Sequence, residues 1–147
     1  MVEPEYKHNS ELLAKFINYT MESGKKEVAR KIVYGMLDDI KETLKVENPL
    51  EVFELAIKNV GPVMEVRSRR IGGATYQVPR EVRPERKTAL AYRWILDAAR
   101  KKEGKPIRAR LADEIIAASK NEGEAVRKRE NTIKMAEANR AFAHFAW

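Results

Sequence analysis

The chain reads as a mainly α-helical domain of about six helices, with a basic two-stranded β-hairpin arm protruding between the third and fourth. Three observations predict this. Apolar residues recur at helical spacing along most of the sequence. One stretch, residues 63–82, breaks that pattern with β-branched residues and a tyrosine set around Gly72-Gly73. Basic side chains gather on that stretch and beyond it. At 147 residues the chain fits one domain, residues 1–147, able to bury a core without disulfides or metals.

A first short helix is expected near Ser10 to Thr20, with Leu13, Phe16, Ile17 and Thr20 on one stripe, and Gly24 ends that segment. The second carries Val28, Ile32, Met36, Ile40 and Leu44 at a spacing of four, flanked by Ala29, Val33 and Leu37. Asn48-Pro49 supplies an N-cap and a first-turn proline for the third. Its core face is Phe53, Ala56, Ile57 and Val60, and Gly61-Pro62 stops it. In the hairpin, a Gly72-Gly73 loop sets Arg69 opposite Tyr76 and Arg67 opposite Val78. One face then holds Glu65, Arg67, Arg69, Tyr76, Val78 and Arg80; the other holds Val66, Ser68, Arg70, Thr75, Gln77 and Pro79. Neither is apolar enough to lie flat on a core. A lone ribbon is marginal in water, so a partner is expected to steady it. After Arg83-Pro84 a fourth helix runs to about Lys102, burying Leu90, Trp94, Ile95 and Ala98. A fifth carries Leu111, Ile115, Ile116 and Ala118. Gly123 separates it from a last, highly charged helix over about 124–145.

Charge narrows the function. Residues 1–64 hold 9 basic and 11 acidic side chains, a net −2, whereas residues 65–147 hold 20 and 11, a net +9. Such asymmetry implies a directed surface for a polyanion. Cysteine is absent, which excludes disulfides, thiolate nucleophiles and Cys-based zinc sites and points to a reducing compartment. Met1 to Ser10 is charged and polar, so no signal peptide is expected, and no apolar run is long enough to span a membrane. No catalytic constellation emerges and no cofactor is implied. His8 and His144 have no metal-ligand spacing, and Gly24-Lys25-Lys26 lacks the rest of a phosphate loop. Asp38-Asp39 and Asp113-Glu114 are adjacent pairs whose members diverge on a helix, as surface charge would.

Nucleic-acid chemistry is present instead. The ribbon and its exit supply Arg67, Arg69, Arg70, Arg80, Arg83, Arg86 and Lys87. Arginine grips phosphate bidentately and stacks on bases. Arg100, Lys101, Lys102, Lys105, Arg108 and Arg110 span a helix–helix loop, and Arg127, Lys128, Arg129, Lys134 and Arg140 lie towards the end of the chain. Any one cluster alone is as well read as a solvated helix face. Tyr76, Phe145 and Trp147 are the aromatics placed to stack on bases, although Tyr76 equally suits cross-strand packing. A helical body gripping structured RNA and a DNA-bending protein with a minor-groove arm both fit; the Gly-Gly tip lacks an apolar wedge, which tilts towards RNA. A protein-interaction module with basic faces leaves the arm unexplained.

The segment Met64 to Pro79 reads MEVRSRRIGGATYQVP, and Met135 to Trp147 reads MAEANRAFAHFAW. Both closely resemble the bacterial small-subunit ribosomal protein seven family, as do Gly24-Lys25-Lys26, Asn48–Val60 and Glu81–Arg100. The resemblance runs from about residue 6 to the end. It implies a protein of the cytoplasmic ribosome that binds the 3′ major domain of small-subunit ribosomal RNA and organises the subunit head during assembly. Its arm and C-terminal helix are expected near exit-site tRNA and the messenger path, with small-subunit proteins nine and eleven as neighbours and no membrane contact. Carried over by position, the resemblance puts Lys25, Lys26, Arg67, Arg69, Arg70, Arg83, Arg86, Arg127, Lys128, Arg129 and Arg140 on RNA. Gly72 and Gly73 match the ribbon tip, where a side chain obstructs close approach. Tyr76, Arg80, Lys87, Arg108, Arg110 and Lys134 join this candidate surface from the clusters themselves. The family's arginine-rich start is missing, Asn131 replaces a common aspartate, and Ala146 stands where an arginine often precedes the tryptophan.

Overall fold

The computed structural model describes residues 10–147; the first nine positions, with His8 and the start of the resemblance, lie outside them. Six α-helices surround one apolar core: α1 (Glu11–Thr20), α2 (Lys26–Leu44), α3 (Pro49–Val60), α4 (Pro84–Lys101), α5 (Ile107–Ser119) and α6 (Glu124–Ala138). Between α3 and α4 stand β1 (Met64–Ile71) and β2 (Ala74–Glu81), and a 3-10 helix succeeds α6 at Arg140–Phe145.

Side chains cap two helix starts, that of α3 as the sequence predicts. Ser10 caps α1 by accepting from the Leu13 amide at 3.1 Å, and Asn48 caps α3 by accepting from Leu50 at 3.2 Å. Leu13, Phe16, Ile17 and Thr20 are all buried. Phe16 forms the centre of an aromatic cluster, its ring 5.2 Å from Phe53 and 5.4 Å from Tyr92. The Tyr92 hydroxyl donates to the Leu12 carbonyl at 2.8 Å, tying α4 to α1. Burial pushes the Tyr92 phenol above its ordinary pKa, so it stays a donor.

α2 corrects the spacing-of-four stripe. Its buried residues are Ala29, Val33, Gly35, Met36, Leu37 and Ile40, while Val28 is 53% exposed. Residues four apart advance by about 40° around a helix, so a five-member row turns through about 160°; it leaves the core at Val28, while Ile32 and Leu44 still pack against it.

The ribbon has the expected register, Arg69 opposite Tyr76 and Arg67 opposite Val78. Gly72 and Gly73 form its loop with φ of +57° and +87°, a pair of left-handed residues that a two-residue hairpin turn requires. The ribbon is less independent than its composition implied. Val78 is fully buried, Glu65 is 7% exposed, α6 packs on β1, and the 3-10 helix packs on β2. The partner that steadies the ribbon is the chain's own C-terminus. The expected final helix accordingly does not run unbroken to Phe145. α6 closes at Ala138, where the Asn139 side chain donates to the Met135 carbonyl at 2.8 Å, competing for a backbone acceptor. No helix among the described residues is long and apolar enough to cross a membrane.

Candidate nucleic-acid interface

Folding sorts the basic side chains into two groups. Lys25, Lys26, Arg67, Arg70, Arg83, Arg108, Arg127, Lys128, Lys134 and Arg140 are exposed. Lys25 stands at the start of α2 and gives that helix no side-chain cap, and the Lys26 amide donates back to the Gly24 carbonyl at 3.0 Å. Arg67 and Arg70 project from β1, and among the described residues Arg67 makes a distant 3.8 Å ion pair to Glu65. Arg127 and Arg140 pair with Glu124 at 2.7 Å and Glu137 at 4.0 Å, each one turn away on the surface; such exposed pairs are weak and easily exchanged for a phosphate. Lys128 lies over the Trp94 ring at 5.7 Å. Arg108 meets Asp39 at 3.2 Å.

The second group is spent on the fold. Arg86 grips Glu65 with two hydrogen bonds, 2.7 and 3.1 Å; these bonds raise the guanidinium above its ordinary pKa against the opposing effect of burial. This pair pins the base of the ribbon to α4. Arg110 donates to the carbonyls of Ala99, Arg100 and Lys102, satisfying acceptors that the end of α4 leaves open. Arg129 donates to the Asn59 carbonyl and the Asn121 side chain, fastening α6 to α3. Lys87 is half-buried, its aliphatic stem lying against Gly61.

The Tyr76 face of the ribbon is also occupied. Tyr76 packs on Phe142 and Phe145, with ring centres 5.2 and 4.9 Å away. Phe142 and Phe145 are stacked at 6.3 Å, because residues three apart eclipse in a 3-10 helix. Arg69 donates to the Phe145 carbonyl and lies 5.1 Å from the centre of the Trp147 ring, with Arg80 on the same ring at 5.7 Å. Of the two roles open to Tyr76, the fold uses packing. Phe142 was not singled out by its sequence, although its spacing of three from Phe145 is the signal that finds it. Trp147 is 59% exposed, so it keeps a free ring surface beside Arg80 and Arg83.

Glu114 is the other residue that composition hides. Read as surface charge, it is instead fully buried, bonded to Lys102 at 3.0 Å and to the Ala125 amide at 2.9 Å. Burying a carboxylate is costly unless both oxygens find donors, and here each does. His144 sits against the Phe145 ring at 4.0 Å, and no group of three or more potential metal ligands occurs among the described residues.

The resulting surface joins the ribbon, α6 and the terminal segment, with exposed cations around a rigid support. These cations present positive charge to solvent on elements that pack together. Residues 1–140 match the family described as ribosomal protein S7p/S5e. The small ribosomal subunit protein uS7 of Thermotoga neapolitana is 56% identical over 146 residues, 99% of this chain and 94% of that protein. Its counterpart in Francisella tularensis is 57% identical over 144 residues, 98% of this chain and 92% of that protein.

Proposed function

Because this chain belongs to the ribosomal protein S7p/S5e family, and is therefore a structural protein of the small ribosomal subunit rather than a catalyst, we propose that it binds the 3′ major domain of small-subunit ribosomal RNA and organises the subunit head during assembly. It acts in the cytoplasm as a single RNA-binding unit. Its ribbon and C-terminal segment lie near exit-site tRNA and the messenger path, with small-subunit proteins nine and eleven as neighbours.

The observation that carries this reading is the division of the cations. Arg86, Arg110 and Arg129 hold the fold together, while Arg67, Arg70, Arg127, Lys128, Lys134 and Arg140 are exposed on elements that adjoin one another. Fixed cations on packed elements read the spacing of phosphates, which is how a folded RNA differs from another of equal charge. Lys25 and Lys26 add a second anchor, where the uncapped start of α2 favours a phosphate. Arg69, Arg80 and Tyr76 act with the terminal segment, and Arg83, Lys87 and Arg108, the last beside Asp39 of α2, add further cations. Gly72 and Gly73 leave the tip free of side chains for close approach.

A competition assay tests this against three ligands: a 3′ major domain ribosomal RNA fragment, an unrelated folded RNA of equal length, and duplex DNA. The ribosomal fragment is expected to be preferred by at least about ten-fold at physiological salt, a modest demand beside the specificity ratios of sequence-specific nucleic-acid binders. Equal binding to all three would contradict the proposal, and preference for duplex DNA would favour an architectural DNA protein.

A further inference from the structure

We propose that Glu114 is a positioning residue for RNA binding, fixing the start of α6 and so aiming the cations of that helix; this rests on the RNA-binding reading above. Gly123, the N-cap of α6, has no side chain to offer the open amides of the first turn. Glu114 replaces it from α5: one carboxylate oxygen accepts from the Ala125 amide at 2.9 Å and the other from the Lys102 ammonium at 3.0 Å. A carboxylate there also meets the positive end of the helix dipole. The fit is tight, since a Cβ on Gly123 would lie 3.1 Å from the Glu114 oxygen. Gly123 itself has φ +96°, a conformation that L side chains rarely adopt.

The cap bears on function because the RNA-facing cations of α6 begin within a turn of it. Ala125 and Val126 are buried, and Arg127 and Lys128 come next, both exposed. Successive helical residues are about 100° apart, so a first turn that frays or rotates re-aims every cation after it. Downstream, α6 packs on β1 and leads into the segment that clamps β2. Arg129 supplies a second fastening to Asn59, so the helix is held at its first and second turns by residues that do not face outward.

The test uses the full chain with Glu114→Ala and Glu114→Gln, studied well below their unfolding midpoints against the 3′ major domain fragment. Glu114→Ala is expected to lose about ten-fold in affinity and to show a salt slope shallower by about 2, as for two phosphates released from register. Glu114→Gln keeps an oxygen for the Ala125 amide and is expected to restore the slope. Hydrogen exchange at Ala125 to Lys128 should accelerate in the alanine variant only. A solely structural Glu114 would lower the midpoint and leave slope and exchange unchanged, which overturns the proposal, as does a glutamine variant as defective as the alanine one. Should Glu114→Ala fail to fold, Gly123→Ala crowds the cap while keeping the carboxylate, and an unchanged slope there is equally contrary. If the wild-type chain binds no RNA, the reading beneath this proposal fails, and the proposal with it.

Discussion

Replacing Arg67, Arg70, Lys128 and Lys134 together by glutamate is expected to lower affinity for the ribosomal fragment by at least about a hundred-fold at moderate salt. Four lost phosphate contacts remove roughly 3 to 4 units of salt slope, which corresponds to about two decades between 50 and 200 mM. All four side chains are exposed, and the contacts that Arg67 and Lys128 make are marginal: a 3.8 Å pair to Glu65 and a place over the Trp94 face. Helix content and the thermal midpoint should therefore hardly move. Fluorescence anisotropy and circular dichroism on the same samples give both readouts. Arg69 is left out because it bonds the Phe145 carbonyl, so its reversal would disturb the clamp as well as the charge. Unchanged affinity would show that these side chains do not contact the RNA.

Phe16→Ala is expected to destabilise the fold by about 3–5 kcal/mol. Phe16 is fully buried and lies between Phe53 and Tyr92, so truncation removes contacts to α3 and α4 at once and leaves a cavity that helices cannot easily close. Against a total stability of about 5–15 kcal/mol for a domain, that is a large share. It corresponds to a fall of about 10 °C or more in the midpoint for a chain of this size. Calorimetry checks it. A shift of only a degree or two would mean that α1 is docked far more loosely than its burial implies. At temperatures where the variant is folded, its RNA affinity should match wild type, because no exposed cation is touched.

Much of this architecture is legible from local pattern. The cap at Asn48 and the loop at Gly72-Gly73 act within a few residues of themselves, so their chemistry is visible in the chain. Pairing across long separations is not. Glu114 looks like half of a solvated acid pair, because its donors are the distant Lys102 and an amide at Ala125. Arg86, Arg110 and Arg129 resemble their exposed neighbours in composition. Only the fold shows that Glu65, the end of α4 and the Asn59 carbonyl claim them. The sequence predicts a partner for the ribbon without identifying it, because its cover, Phe142, Phe145 and Trp147, comes some seventy residues later. The α2 stripe failed only at its start: a row of fours drifts around the helix, and Val28 falls outside the core face.

The most direct measurement is the salt dependence of wild-type binding to the 3′ major domain fragment. If the exposed cations engage about 6 to 10 phosphates, log affinity should fall against log salt with a slope of about −5 to −9, taking the duplex value of about 0.9 per phosphate. A slope near −1 would contradict a phosphate-reading surface of this extent.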